Sequence, residues 1–237
     1  MDLSKTEIPS KGEDLKNNQK KKRRNIYKLF IIPPTVLLIF IVLFLYKPIG
    51  FKGGIAVDNE QVSPYLTHIL SPQLYNGAER QEPFDLVISQ EGINDIISRY
   101  DWPIESNGAR YLPPKVLFKP DRIVIIGTVS IGAVELMVTI IGQPRLDENG
   151  LLNLNITKIK VGAMNFTIVA KLIAGKMYTQ KLADTTVDSK DIGTKIVASL
   201  FNDESFKPVF SVNDNKVCIK TISITSGQLK IGLVPAS

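Results

Sequence analysis

Few residues of this chain have types and spacing that could do chemistry. His68 is the single histidine and Cys218 the single cysteine among 237 residues. A serine triad or a catalytic metal needs a histidine or a carboxylate cluster beside its nucleophile, and no Gly-x-Ser-x-Gly, phosphate loop or dinucleotide fingerprint is present in the sequence. The acidic pairs at 147–148 and 203–204 fall in predicted turns or helix ends, where solvated carboxylates are common. We therefore expect no catalytic residue, no metal site and no cofactor, and an enzyme is the least favoured class.

Cys218 lies in a predicted strand over residues 216–224. One cysteine can form no intramolecular disulfide and cannot supply a cysteine cluster for zinc. We interpret Cys218 as an ordinary core or half-buried residue.

Positive charge is concentrated in the N-terminal tail. Residues 1–28 contain nine basic and four acidic residues, so they carry five of the six net positive charges of the chain. The remaining residues are nearly neutral, whereas a nucleic-acid-binding domain needs clustered basic residues on its folded surface. DNA and RNA are therefore not expected as partners.

An apolar run follows this basic tail. Residues 29–46 contain no charge, and as a helix they would extend about 27 Å, close to the thickness of a bilayer core. Pro33-Pro34 predicts a kink near the start of the helix. The cluster Lys20, Lys21, Lys22, Arg23 and Arg24 on one side predicts that the N-terminus stays in the cytoplasm. We expect a retained signal anchor, because no small-x-small cleavage site follows the run.

The sequence thus predicts four regions: a basic cytoplasmic tail (1–28), a transmembrane helix (29–46), a short flexible tether (47–58) and an α+β domain (59–237) outside the cytoplasmic membrane or in the periplasm. The tether is inferred from its glycines and proline. Within the domain, Ser63 and Ser89 are predicted helix N-caps. Alternating and continuous apolar segments predict strands at 84–88, 116–118, 122–131, 134–141, 151–161, 216–224 and 229–233, and helical spacing predicts a helix at about 192–201.

A candidate apolar surface follows from two periodic segments. Val134, Leu136, Val138 and Ile140 alternate with more polar residues, so they share one face of a strand. A helix of about 18 residues is predicted to start near Phe166 and to lie across the sheet. Its apolar stripe contains Phe166, Val169, Ala170, Ile173 and Met177. The hypothesis is an apolar channel between strand and helix, and a filled core remains the open alternative.

The order of features resembles a known bacterial group. It includes the N-terminal anchor, the strand-to-helix step Leu86-Val87-Ile88-Ser89-Gln90-Glu91-Gly92-Ile93-Asn94-Asp95-Ile96-Ile97, and Arg122-Ile123-Val124-Ile125-Ile126-Gly127-Thr128-Val129 leading into a β meander. This pattern resembles the membrane-anchored bacterial YpmS-like proteins and, more loosely, the tubular lipid-binding superfamily. The resemblance implies a curved antiparallel sheet wrapped around a long helix, with a non-catalytic domain that binds or shields a lipid at the cell envelope. A structural or scaffolding envelope protein without a ligand is the alternative.

Overall fold

The computed structural model describes residues 32–48, 51, 53–57, 62–173 and 192–236. The chain divides into two compact units, Met1–Leu43 and Phe44–Ser237. Residues 32–44 are helical (α1), and the large apolar side chains of α1 within the first unit are exposed. Among the described residues, no helix is both long enough and apolar enough to cross a membrane. The first three residues of the predicted span, 29–31, and the basic cluster Lys20–Arg24 lie outside the described residues.

The second unit contains two capped helices that the sequence predicted. Residues 64–79 form the first, as a π-helical turn Leu66–Leu70 followed by α2 (Ser71–Glu79), and the amide of Leu66 donates to Ser63 Oγ at 3.2 Å. The second, α3 (Gln90–Ser98), begins after Ser89, whose Oγ accepts from the amide of Gly92 at 3.0 Å. Both serines therefore satisfy amides that a helix N-terminus leaves without an intrahelical partner.

Two further helices are described in this unit. Residues 167–173 are helical (α4), and α5 covers Ile192–Asn202. The helix predicted at about 192–201 is thus confirmed. The rest of the predicted long helix after residue 173, including Met177, lies outside the described residues.

The strands form antiparallel sheets, and the mixed α+β class predicted from the sequence is confirmed. The strands are β1 (Phe84–Ser89), β2 (Ile104–Ser106), β3 (Ala109–Tyr111), β4 (Lys115–Lys119), β5 (Arg122–Ile131), β6 (Val134–Gly142), β7 (Arg145–Leu146), β8 (Leu152–Asn153), β9 (Ile156–Val161), β10 (Met164–Asn165), β11 (Val209–Val212), β12 (Asn215–Thr225) and β13 (Gln228–Pro235). The larger sheet has the order β10-β9-β6-β5-β3-β2, and β4 also pairs with β5. A second sheet has the order β1-β13-β12-β11, and β7 pairs with β8.

Buried apolar residues form two clusters. One lies where α2 covers the second sheet and includes Ala78, Leu86, Val217 and Leu233. The other includes Val116, Phe118 and Ile224 and is packed by apolar residues of α3, β5 and β12. Cys218 is buried, as predicted for a core residue.

The arrangement differs from the predicted curved sheet wrapped around one long helix: the described strands form separate sheets, and none of these is strongly curled. The closing strands β12 and β13 pair with β11 and β1 in a separate sheet, and β1 pairs with β13 over its whole length. The meander itself is observed as β5, β6 and β9 in consecutive antiparallel pairs. The prediction missed the division because hydrophobic alternation identifies strands but not their distant partners.

Candidate functional site

The four predicted strand residues of the candidate channel lie on one face of β6. Antiparallel pairing places Ile140 opposite Ile125, Leu136 opposite Val129 and Val134 opposite Ile131. On the other edge of β6, Ile159 and Val161 of β9 oppose Ile140 and Val138. Residues directly opposite each other in an antiparallel pair point to the same face. The structure therefore brings the four residues into a wider apolar face that spans three strands.

This apolar face is covered at one end and open at the other. Near β4, Ile123 and Ile125 pack into the buried cluster with apolar residues of α3. At the turn between β5 and β6, Ile131 and Val134 are 53% and 44% exposed. The exposed end is thus the turn at residues 131–134.

The N-terminus of α4 is fixed to β9. The amide of Phe166 donates to the carbonyl of Ile159 at 2.8 Å, and the amide of Ile159 donates to Thr167 Oγ1 at 2.9 Å. One turn further, Lys171 Nζ donates to both carboxylate oxygens of Asp203 at 2.9 Å. Thr167 and Lys171 are four residues apart and so lie on the same side of the helix. That side contacts the rest of the domain.

The apolar stripe of α4 points away from the domain. Phe166 and Ala170 are half-buried, but Ile168, Val169, Leu172 and Ile173 are between 51% and 78% exposed. At about 100° per residue these four form one continuous stripe. The predicted stripe is therefore only partly the exposed one: Phe166 and Ala170 turn toward the domain, and Ile168 and Leu172 share the exposed side. Periodicity does not say which side of a helix the protein covers.

Two surface clefts lie elsewhere on the domain. One, of about 430 Å³, lies between the first helix and β1 and is lined by His68, Arg80 and Asp85 among others. The other, of about 520 Å³, lies at the β2–β3 hairpin and includes Glu105 and Arg110. Their linings contain none of the predicted channel residues.

The end of the predicted span (29–46) and the predicted tether (47–58) make specific contacts with the domain. The ring of Phe44 packs edge-on against Phe166 with centroids 5.9 Å apart, and Lys47 forms an ion pair with Glu135 at 2.7 Å. A Cβ at Gly54 would lie 2.3 Å from the carbonyl oxygen of Pro113, so only glycine fits this close approach. A glycine in the sequence can indicate either a flexible linker or a close backbone contact, and the sequence alone does not distinguish the two.

A polar cluster links the start of the first helix to α3. The hydroxyl of Ser63, itself buried, donates to Asp95 Oδ2, and Arg99 Nε donates to Asp95 Oδ1 at 2.9 Å. The Ser63 hydrogen bond, followed by that of Arg99, holds the pKa of Asp95 below its ordinary value. Each donor favours the charged carboxylate. Asp95 accepts hydrogen bonds from both Ser63 and Arg99. We interpret this cluster as a structural link between the two helices.

The chemistry of the described residues is otherwise sparse. Among them, no group of three or more histidine, cysteine or carboxylate side chains comes close enough to hold a metal ion. The feature that stands out is apolar: an exposed stripe on α4 and an exposed turn between β5 and β6.

No family model matches this chain. Comparisons with curated proteins and with solved structures also found no match. The candidate site is therefore defined by the residues of this chain alone.

Proposed function

We propose that this chain is a single-pass membrane protein whose folded domain lies outside the cytoplasmic membrane and binds a lipid or another apolar molecule without catalysis. The exposed apolar stripe of α4 is the observation that carries this proposal. Burying one large aliphatic side chain fully is worth roughly 1.5–3 kcal/mol. Four half-exposed side chains on one stripe therefore leave several kcal/mol to be gained by an apolar occupant.

The anchor follows from the same reasoning applied to α1. Its apolar side chains are exposed along residues 36–43, and the uncharged run 29–46 in the sequence is long enough to span a bilayer core. The basic cluster Lys20–Arg24 keeps the N-terminus in the cytoplasm.

The proposed ligand site lies between the apolar face of β6 and α4. Val134, Leu136, Val138 and Ile140 form the strand wall. On the helix wall, Phe166 and Ala170 are half-buried, while Val169 and Ile173 belong to the outward, exposed stripe, so the proposed site opens toward that stripe. Both walls meet near β9, where Phe166 and Thr167 bond to Ile159.

The alternative is a scaffolding envelope protein that uses the same stripe to bind a protein partner. The half-buried position of Ala170 favours it, because a helix packed tightly on the domain leaves no room for a ligand beneath. Both functions predict a bound partner, but only the first predicts bound lipid.

Ala170→Leu in a fragment that starts at Phe44 separates the two functions. If Ala170 borders ligand space, the added side chain fills that space, so binding of a fluorescent fatty acid falls while the melting temperature changes little. If Ala170 is packed against the domain, the same change costs about 1–3 kcal/mol.

Ala198→Leu is the matched control. Ala198 is buried on α5, so a leucine there overpacks the core and sets the scale of a stability loss. A drop in melting temperature for Ala170→Leu equal to that of Ala198→Leu, with no fatty-acid binding in the unmutated fragment, would contradict the lipid-binding proposal.

A further inference from the structure

The last turn of the predicted anchor and the lysine that follows it touch both exposed apolar elements. Phe44 packs on Phe166, the residue directly before α4. Lys47 pairs with Glu135, the neighbour of exposed Val134 at the β5–β6 turn. Only two residues separate Phe44 from Lys47. The start of helix α4 and the β5–β6 turn therefore both contact the short segment 44–47.

That segment is where the apolar run ends. Residues 29–46 are uncharged and Lys47 is the first charged residue after them. A lysine that flanks a membrane span places its ammonium at the level of the lipid headgroups. In a membrane-anchored chain, Glu135 and the β5–β6 turn therefore lie at the headgroup level too.

Helix α4 has its polar side toward the domain and its apolar side outward, as a helix at a bilayer surface would. Thr167 and Lys171 bond to the domain, while Ile168 and Leu172, on the side turned outward, are exposed. A helix that only covered a protein core would have the opposite arrangement, with its apolar side inward. Helices at membrane interfaces bury such a side about 5–10 Å into the boundary between headgroups and acyl chains.

We infer that α4 and the β5–β6 turn form a membrane-contact surface, made of Ile131, Val134, Ile168, Val169, Leu172 and Ile173, that rests on the outer leaflet. The inference depends on the proposed anchor and adds the partner, which is the lipid bilayer itself. It also supplies a route for a lipid ligand, which would enter the domain from the leaflet that α4 contacts.

Depth-dependent fluorescence quenching in the full-length chain tests the inference. Cys218→Ala removes the single cysteine, and Leu172→Cys, Leu38→Cys and Lys119→Cys each introduce one label position. The protein is reconstituted in phosphatidylcholine–phosphatidylglycerol vesicles, labelled with an environment-sensitive fluorophore and exposed to doxyl-labelled lipids or to aqueous iodide. Lys119 is the matched control because it is the exposed last residue of β4 and pairs with Arg122, the first residue of β5. The β5–β6 turn follows the opposite end of β5, about 30 Å away.

The expected result is strong lipid quenching at positions 38 and 172, with a blue-shifted emission, and quenching by iodide alone at position 119. Iodide quenching at 172 equal to that at 119 would overturn the membrane-contact surface. Protection at 172 from both quenchers would also overturn it, because the stripe would then be covered by protein, either another part of this chain or a second copy. A label at 38 that lipid does not quench would instead refute the proposed anchor.

Discussion

Asn94→Leu tests how α3 holds the edge of β4. Asn94 Nδ2 donates to the carbonyl of Val116 at 2.7 Å, and its Oδ1 accepts from the amide of Val116 at 2.8 Å. The Asn94 amide thus bonds both backbone groups of Val116, as a neighbouring strand would. Val116 is only 6% exposed, so water cannot replace these bonds easily. Leucine has nearly the same shape but can make neither bond.

The expected loss of stability follows from the two backbone groups left without partners. Each unsatisfied buried group costs about 1–3 kcal/mol, and the added apolar burial of leucine returns about 1 kcal/mol. The net loss is then on the order of 1–5 kcal/mol. For a domain of this size, a loss of about 3 kcal/mol corresponds to a decrease in melting temperature of roughly 6–12 °C.

Urea and thermal unfolding of the fragment that starts at Phe44 measure this loss. Asn76→Leu is the matched control, because Asn76 is an exposed residue of α2 and the same change there should stay within about 0.5 kcal/mol. Equal stabilities for Asn94→Leu and Asn76→Leu would refute the reasoning that the Asn94 amide replaces a strand partner.

Three further predictions concern charge and the connecting segment. Because the pKa of Asp95 is lowered from 3.8 in the folded state, the charged carboxylate stabilises the fold above that value, and this contribution is lost as the pH falls through the lowered pKa. The difference in unfolding free energy between wild type and Asp95→Asn should therefore shrink in acid. At neutral pH the same difference should be smaller when both proteins also carry Ser63→Ala. A fragment that starts at Asp58 should unfold cooperatively, but at a lower temperature than one that starts at Phe44, since it lacks the Phe44–Phe166 contact, worth about 0.5–1.5 kcal/mol. Replacing Lys20–Arg24 with glutamine should give mixed orientations, detected as partial labelling of an engineered C-terminal cysteine by an impermeant reagent on intact cells; unchanged full labelling would contradict the role of this cluster.

Local signals predicted the local parts of the fold. Ser63 and Ser89 were identified as N-caps because the capping hydrogen bond joins residues three apart, and the structure confirms both. The β5 and β6 strands were placed within one residue by their apolar patterns. The turn between them contains Gly132, which has a positive φ. Interactions that join distant residues were not predicted, because helical spacing does not identify Val116 of β4 as the partner of Asn94.

The candidate site was only partly predictable for the same reason. Alternation placed Val134 and Ile140 on one face, and the pairing with β5 confirms it. The outward direction of the α4 stripe depends on the bond between Thr167 and Ile159 and on the ion pair between Lys171 and Asp203. Neither partner can be identified from helical spacing alone.

Mass spectrometry of lipids retained by the domain tests the central claim most directly. The fragment that starts at Phe44 is purified from cells without detergent, its fold is checked by a cooperative melt, and it is then extracted and compared with an Ala170→Leu sample prepared in parallel. The proposed function predicts a phospholipid or fatty acid bound in a fixed ratio to the unmutated fragment and reduced in the variant. A folded fragment that carries no lipid, and that takes up none when incubated with vesicles, would contradict it.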